Sequence, residues 1–317
     1  MAMRTGQGVE IREALKEGIA RLRAAAVPSH SLAAELLLMH ALGRDRTWIY
    51  SHPETLVAPA ELERYYAFIQ RRAAGEPTQY ITGKQEFWGL EFKVTPAVLI
   101  PRPETEHVVE VALARLKGGR CEAHFTPAEH RPELRIADVG TGSGCIAIAL
   151  ARELRGAEIV ATDISAGALD VAKRNAASHG VAGRIRFVEA NLLENIFPQS
   201  TAGQLPLNLV VSNPPYVARA DSAQLAREII EHEPHTALFG GAKGVEIYER
   251  LIEQAAGALR SPAAERDSVR AGILVLELGY KSAEKVREIL VRQQVWDDIR
   301  LTDDLAGIPR VVSALRR

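Results

Sequence analysis

Between residues 134 and 278, five short apolar runs alternate with stretches of amphipathic helical spacing. The runs cover 134–139, 158–162, 185–189, 207–212 and 272–278. Each is rich in Val, Ile or Leu and too short for a globular helix, so each reads as a strand buried on both faces. Helices are predicted over 143–154, 166–178, 245–259 and 282–291. Strands alternating with helices form a mostly parallel sheet covered on both sides. Residues 310–315 are expected to add a last, edge strand. The polar stretches 118–132 and 261–270 read as loops.

The region before this pattern differs in character. Ile11, Leu15, Ile19 and Leu22 recur near a 3.6 period, predicting a helix over 9–26. Ser31 is placed to cap a second helix that stops at Gly43. A third starts near Pro59 and ends at Gly75-Glu-Pro77. Three helices predict a small bundle. A chain of 317 residues is long enough for about two domains, and the division falls as 1–84 and 85–317. The segment 86–94 alternates around Gly89 and predicts a β-hairpin, within a linker over 85–98. Phe87 and Trp88 are expected in the hairpin's core. A helix is predicted over 106–116, with Thr105 or Glu106 as its cap.

Asp138-Val-Gly-Thr-Gly-Ser-Gly144 follows the first predicted strand and opens a helix. Glycines at alternate positions let backbone approach a ligand closely, and a helix start offers free N–H groups. A dinucleotide fingerprint would need glycine at 145, where Cys145 stands. Asp163 ends the next strand, where a carboxylate can accept both hydroxyls of a ribose. Together Gly140, Thr141, Gly142, Ser143, Gly144 and Asp163 point to a nucleoside-containing cofactor.

Ser212-Asn-Pro-Pro-Tyr216 follows the fourth predicted strand. Its prolines stiffen the backbone and push Asn213 out of helical geometry. The Asn213 amide oxygen and the Pro214 carbonyl are two acceptors, able to hold both hydrogens of an –NH2 group. Pro215 adds no donor, and Tyr216 offers a ring for stacking a planar group. The arrangement suits an amide or amino nitrogen whose lone pair is delocalised.

Other chemistries are weaker. The formal net charge of −1 argues against sequence-blind nucleic-acid binding. Cys121 and Cys145 make neither a metal pair nor a disulfide framework, which points to a cytoplasmic setting. Cys145 is expected to be a small buried residue. His232 and His235 do not suffice for a metal site, so none is expected. No serine nucleophile elbow surrounds Ser143, because position 141 is Thr. No apolar run reaches the ~18 residues of a membrane span, and no signal sequence is read at the start.

The glycine loop with Asn-Pro-Pro-Tyr resembles the N6-adenine and N5-glutamine branch of class I, Rossmann-like methyltransferases. Gly75-Glu-Pro-Thr-Gln-Tyr-Ile-Thr-Gly83, Glu86-Phe-Trp88, Leu99-Ile-Pro-Arg-Pro-Glu-Thr-Glu106, Glu233-Pro-His-Thr-Ala-Leu-Phe-Gly-Gly241 and Asp304-Leu-Ala-Gly307 narrow the resemblance to the HemK/PrmC family. That resemblance covers nearly the whole chain. It implies a seven-stranded α/β methyltransferase domain over 85–317 and a helical substrate-docking domain over 1–84. It implies S-adenosyl-L-methionine as cofactor, held by Gly140–Gly144, Asp163 and Asn213, with Asn191 and Leu192 beside the adenine. The family carries an aspartate and a bulky aromatic at those two positions, and an acidic residue where this chain has Lys243. The implied substrate is the Gly-Gly-Gln glutamine of class 1 peptide chain release factors, held by Asn213, Pro214, Pro215 and Tyr216. The segment around Arg102 and Glu104 is implied to fold over the cofactor. Alternatives are a ribosomal protein glutamine methyltransferase, a DNA or RNA N6-adenine methyltransferase, and a non-catalytic binding module. The adenine reading would call for a basic target-recognition domain and room for a flipped base.

Overall fold

The structure is a computed structural model that describes residues 8–118, 134–196, 206–261 and 271–317. The loops expected at 118–132 and 261–270 fall outside these residues except at Gly118 and Ser261, and Cys121 lies outside them too. The chain divides into two compact units. One runs to Lys84 and includes Ala226–His232; the other holds the remainder from Gln85.

The first unit contains α1 (Ile11–Ala24), α2 (His30–Leu42), α3 (Arg46–Ser51), α4 (Pro59–Ala73) and α5 (Thr78–Thr82). The expected three-helix bundle is therefore incomplete. Helices α3 and α5 span 6 and 5 residues, too few to show a hydrophobic period. Asp45 caps α3 by accepting from the Trp48 N–H at 2.7 Å, a local signal the periodicity does not carry. Ser31 is not a cap, because α2 already begins at His30 and Ser31 lies in its first turn. Gly43 ends α2 in the left-handed region, φ 62°, as expected. The core gathers Ile11, Leu22, Leu37, Leu38, Tyr65 and Ile69. A later helix, Arg227–His232, joins this unit, with Arg72 paired to Glu228 at 2.5 Å.

Gly18 lets α1 and α4 approach closely. A Cβ there would stand 1.9 Å from the Tyr65 Oη, and Tyr65 is wholly buried. Gly18→Ala is expected to cost about 1–3 kcal/mol through overpacking. The check is urea unfolding; an unchanged midpoint would contradict the account.

A hairpin follows, β1 (Lys84–Phe87) and β2 (Leu90–Lys93), which from Gln85 on belongs to the second unit. Its two turn residues, Trp88 and Gly89, both have positive φ, 56° and 68°, as a tight hairpin turn requires. Trp88 tolerates this because its N–H donates to Glu106 Oε1 at 2.7 Å and its indole N–H to Glu153 at 3.0 Å. Phe87 is fully buried and Trp88 packs beside it, as expected.

Then follow α6 (Glu106–Gly118), β3 (Arg135–Val139), α7 (Cys145–Glu153), β4 (Glu158–Asp163), α8 (Ala166–Ser178), β5 (Ile185–Glu189), β6 (Leu209–Ser212) and β7 (Val217–Ala218). After these come α10 (His235–Leu238), β8 (Phe239–Gly241), α11 (Glu246–Ala258), β9 (Ile273–Glu277), α12 (Ala283–Gln293), β10 (Trp296–Asp303) and β11 (Pro309–Arg316); α9 is the helix Arg227–His232 already placed.

Seven strands form one sheet in the order β10-β11-β9-β6-β3-β4-β5. From β9 to β5 the pairing is parallel, and β11 runs antiparallel between β9 and β10. The last strand is thus not at the edge. The edge belongs to β10, whose Trp-Asp-Asp-Ile-Arg-Leu-Thr-Asp sequence lacks an apolar run because most of it faces solvent. Alternate residues of each inner strand pack on opposite faces. Ile136, Leu209, Val211 and Val275 meet α6 and α7, while Ala137, Val210, Leu274 and Leu276 meet α11 and α12.

Chain direction across the sheet reverses between β3 and β6. After β3 the chain moves outward through β4 to β5, then returns to β6 on the other side of β3. The carboxyl ends at such a switch point leave a crevice where ligands bind.

Candidate active site

Register brings separated residues into one row. Thr162 pairs with Val139, Val139 with Ser212, and Ser212 with Leu276. One residue further along stand Asp163, Gly140, Asn213 and Glu277, at the ends of four neighbouring strands. The first three were expected at the site. Glu277 was not.

The glycine loop is built around a buried acid. Asp138 is fully buried; its Oδ2 accepts from the Thr141 hydroxyl at 2.6 Å and from the Ala147 N–H at 3.1 Å. The Thr141 N–H donates back to the Thr162 carbonyl at 2.8 Å. Gly140 and Gly142 take φ of 70° and 56°, and a Cβ on either would meet no protein atom within 4 Å. Both face open space that a ligand can fill. Gly144 differs: a Cβ there would press on Ala172 and Ile148 at 3.1 Å, so it serves packing at the start of α7. Asp163 is held by two backbone donors, Gly142 N–H and Ser165 N–H, each at 2.9 Å. Each carboxylate oxygen keeps acceptor capacity for a hydroxyl.

The Asn213 loop is fastened from several sides. The Ser212 hydroxyl donates to the Val139 carbonyl at 2.6 Å. Strand β7 pairs with β8, and a Cβ on Gly240 would lie 2.4 Å from the Pro215 carbonyl oxygen. Gly240 of that motif therefore makes room for the proline loop, while Gly241 makes room for the Glu246 carboxylate. The Tyr216 ring lies against Gly279, where a Cβ would come within 2.6 Å. Burial pushes the Tyr216 hydroxyl up to about 12. Asn213 donates from Nδ2 to the Thr105 hydroxyl at 3.1 Å. Thr105 thus faces the site instead of capping α6, and the Glu106 carboxylate is engaged with Trp88.

These loops border a cavity of about 450 Å³, in the ordinary range for small-molecule sites. Gly140, Thr141, Gly142, Ser143, Asp163, Asn191, Leu192, Asn213 and Pro215 line it. Gly144, Pro214 and Tyr216 are not among its lining residues; Pro214 is buried behind them. The segment before α6 contributes Ala97, Val98, Leu99, Pro101, Arg102 and Thr105. Buried Glu233 anchors that segment by accepting from the Ile100 N–H at 3.3 Å and from the Arg102 guanidinium. Leu192 has φ 59° and packs on the core beside the cavity wall. The Lys243 side chain is exposed, and its backbone N–H donates to Glu246 at 2.9 Å. A change of charge at 243 therefore leaves the loop's anchor intact.

Three acids stand in the strands whose ends border the cavity, and Asp163 is the one that lines it. Burial raises Asp138 to about 7, against bonds from Thr141 and Ala147 that favour the carboxylate. Burial likewise raises Glu277 to about 7 and holds Asp163 above the usual range. A cation placed beside the Asp163 carboxylate would favour its charged form, against the burial that raises its pKa. S-adenosylmethionine fits this setting. Its sulfonium is cationic, its ribose matches the free lone pairs of Asp163, and its bulk matches the open space above Gly140 and Gly142. Cys145 is pushed up to about 12 by burial, which keeps it a thiol. Among the described residues no group of His, Cys, Asp or Glu could hold a metal, and no helix is long and apolar enough to cross a membrane.

Comparison with known proteins agrees with this geometry. The family model of the PrmC N-terminal domain matches residues 13–83, and that of the methyltransferase small domain matches residues 124–242. The release factor glutamine methyltransferase of Koribacter versatilis is 40% identical over 302 residues, spanning 95% of this chain and 97% of its own length. That of Bradyrhizobium diazoefficiens is 41% identical over 310 residues, spanning 98% and 95%. A solved METTL16 methyltransferase domain superposes with a TM-score of 0.50 at 16% identity, covering 87% of this chain and 91% of that one. This last likeness concerns the fold alone.

Proposed function

The chain belongs to the release factor glutamine methyltransferase family, and from that premise we propose that it methylates the side-chain amide nitrogen of the Gly-Gly-Gln glutamine in class 1 peptide chain release factors. The single observation that carries this reading is the row Asp163–Gly140–Asn213, which sets a nucleoside site next to an amide-gripping loop. Bound S-adenosylmethionine supplies the electrophilic methyl group.

The chain's own residues do the rest. Asp163 accepts from ribose hydroxyls while Gly142 and Ser165 hold its carboxylate still. The Asn213 Oδ1 and the Pro214 carbonyl accept the two amide hydrogens of the glutamine. Gripping both hydrogens orients the nitrogen and shifts electron density toward it. Orientation of this kind supplies most of the achievable acceleration for a weak nucleophile. The nitrogen would gain the methyl group as the sulfonium's S–CH3 bond breaks, leaving a neutral thioether, and would release one of its two protons to solvent. Tyr216, packed on Gly279, backs the Asn-Pro-Pro turn and keeps its carbonyls aimed. Asn191 and Leu192 would border the adenine, and Arg102, anchored to Glu233, would add a cation to the lining around the cofactor.

The helical unit, residues 1–84, is assigned the docking of the release factor, because a loop glutamine must be presented by its parent protein. The partner is a protein in the translation machinery, so the setting is the cytoplasm, with neither nucleic acid nor membrane as substrate.

The test is direct. The protein is incubated with labelled S-adenosylmethionine and, separately, a class 1 release factor, ribosomal proteins and DNA, and the label is mapped by mass spectrometry. A single methyl on the release-factor glutamine is the expected result. Label on ribosomal protein or adenine instead would overturn the assignment.

A further inference from the structure

Glu277 is an acid at the end of a strand that otherwise reads Ile-Leu-Val-Leu. It is 3% exposed, and its Oε2 has no hydrogen-bond partner among the described residues. Leaving a carboxylate oxygen buried and unpartnered is costly, and such groups concentrate where function needs them. Register sets Glu277 next to Asn213 at the end of the neighbouring strand.

We propose that Glu277, acting through the Thr105 hydroxyl, is a positioning residue that holds the Asn213 carboxamide with its oxygen turned to the substrate amide. The inference rests on the glutamine reading above and adds to it the device that sets the polarity of the grip.

The argument is one of donors and acceptors. A carboxamide has nearly the same shape in its two flipped orientations but opposite polarity. Only one of them offers the substrate –NH2 group an acceptor. A carboxylate cannot donate, so a bond between the two must use the single hydrogen of Thr105, the hydroxyl that lowers the Glu277 pKa. Thr105 can then meet Asn213 only as an acceptor, and it does so, taking the Nδ2 hydrogen at 3.1 Å. The Asn213 nitrogen is occupied and its Oδ1 is left for the substrate. Glu277 is the group that fixes the direction of this chain of bonds.

The groups facing Glu277 are Thr105, Glu104 and Arg102 from the segment before α6, Arg310 from β11, the hydroxyls of Tyr216 and Tyr248, and the Cys145 thiol. Burial raises its pKa to about 7, while Arg310 and Arg102 pull it down. Arg310 is itself paired with Asp304, and Arg102 with Glu233. When Glu277 is protonated it becomes a donor to Thr105. The Thr105 hydrogen is then free to turn to Asn213, which favours the flipped carboxamide. Activity should therefore fall as pH drops through the Glu277 pKa.

Thr105→Val removes the hydroxyl at nearly constant shape, Thr105→Ser keeps it, and Glu277→Gln turns the acceptor into a group that can also donate. Thr105→Val and Glu277→Gln are expected to lower kcat on release factor about tenfold or more, with the cofactor Kd unchanged. Thr105→Ser should retain most of the wild-type rate. The wild-type rate should show an acid limb that Glu277→Gln loses. In isotope-labelled wild-type protein without substrate, the Asn213 side-chain amide resonances should shift with the same midpoint. Wild-type kcat in Thr105→Val, a retained limb in Glu277→Gln, or Asn213 resonances that stay flat through neutral pH would each overturn the relay. If a variant does not fold, the wild-type titration decides. That titration needs no substrate, so a protein that never methylates glutamine would defeat the functional reading and leave the relay standing.

Discussion

Asn213→Ala should lower the rate of release-factor methylation roughly 10²–10³-fold, on the scale of removing one preorganised polar group from an active site. The side chain is half-buried at the end of β6, and its backbone is fixed by Pro214 and Pro215. Truncation therefore leaves the loop in place while deleting the acceptor. Cofactor affinity should change little, because Gly140, Gly142 and Asp163 are untouched. Asn213→Asp keeps an acceptor but cannot donate to Thr105 from its nitrogen position, and it brings a second acid beside Glu277. It should be nearly as slow. Single-turnover kinetics with saturating cofactor, alongside calorimetric binding, separates the two effects. A rate within a few-fold of wild type would remove Asn213 from the chemistry.

The second large effect belongs to Asp163. Its carboxylate organises the Gly142 and Ser165 N–H groups before any ligand arrives. Asp163→Ala should weaken cofactor binding about a hundredfold or more, since charge-assisted bonds are worth about 1.5–3 kcal/mol each and two are at stake. Asp163→Asn is the sharper probe. Both backbone partners are donors, so one of them must face the new –NH2 group, and the isosteric change should cost nearly as much as truncation. Calorimetry gives the Kd, and thermal unfolding without ligand reports any loss of fold. An unchanged Kd in a folded Asp163→Asn protein would separate this carboxylate from the ribose.

These two expectations were legible in the chain before any fold was known. Asp-Val-Gly-Thr-Gly-Ser-Gly and Asn-Pro-Pro-Tyr are local motifs whose chemistry lies in their own residue types. The strand β5 and the helix α8 were predicted at their observed bounds, because each is bounded by clear breaks in an amphipathic or apolar pattern. Helix α5, with 5 residues, and β10, largely exposed, carry no such pattern. Tertiary contacts fix them, and intrinsic propensity alone is too weak to announce them.

Thr105 shows the other kind of miss. Beside a helix start it reads as a cap, a role that local sequence favours. A partner 108 positions away, Asn213, claims its hydroxyl instead. Glu277 was invisible for the same reason, although one acid closing an otherwise apolar strand is a signal that could have been noticed.

By itself the sequence determined six of the sheet's seven strands, the two loops that border the cavity and the family to which the chain belongs, because those features are written in short-range pattern and residue type. Only the tertiary structure decided strand order, the burial of β11 between β9 and β10, and the row that places Glu277 beside Asn213. Parallel register is set by packing on both faces of the sheet between segments far apart in the chain, and no local window of sequence contains that information.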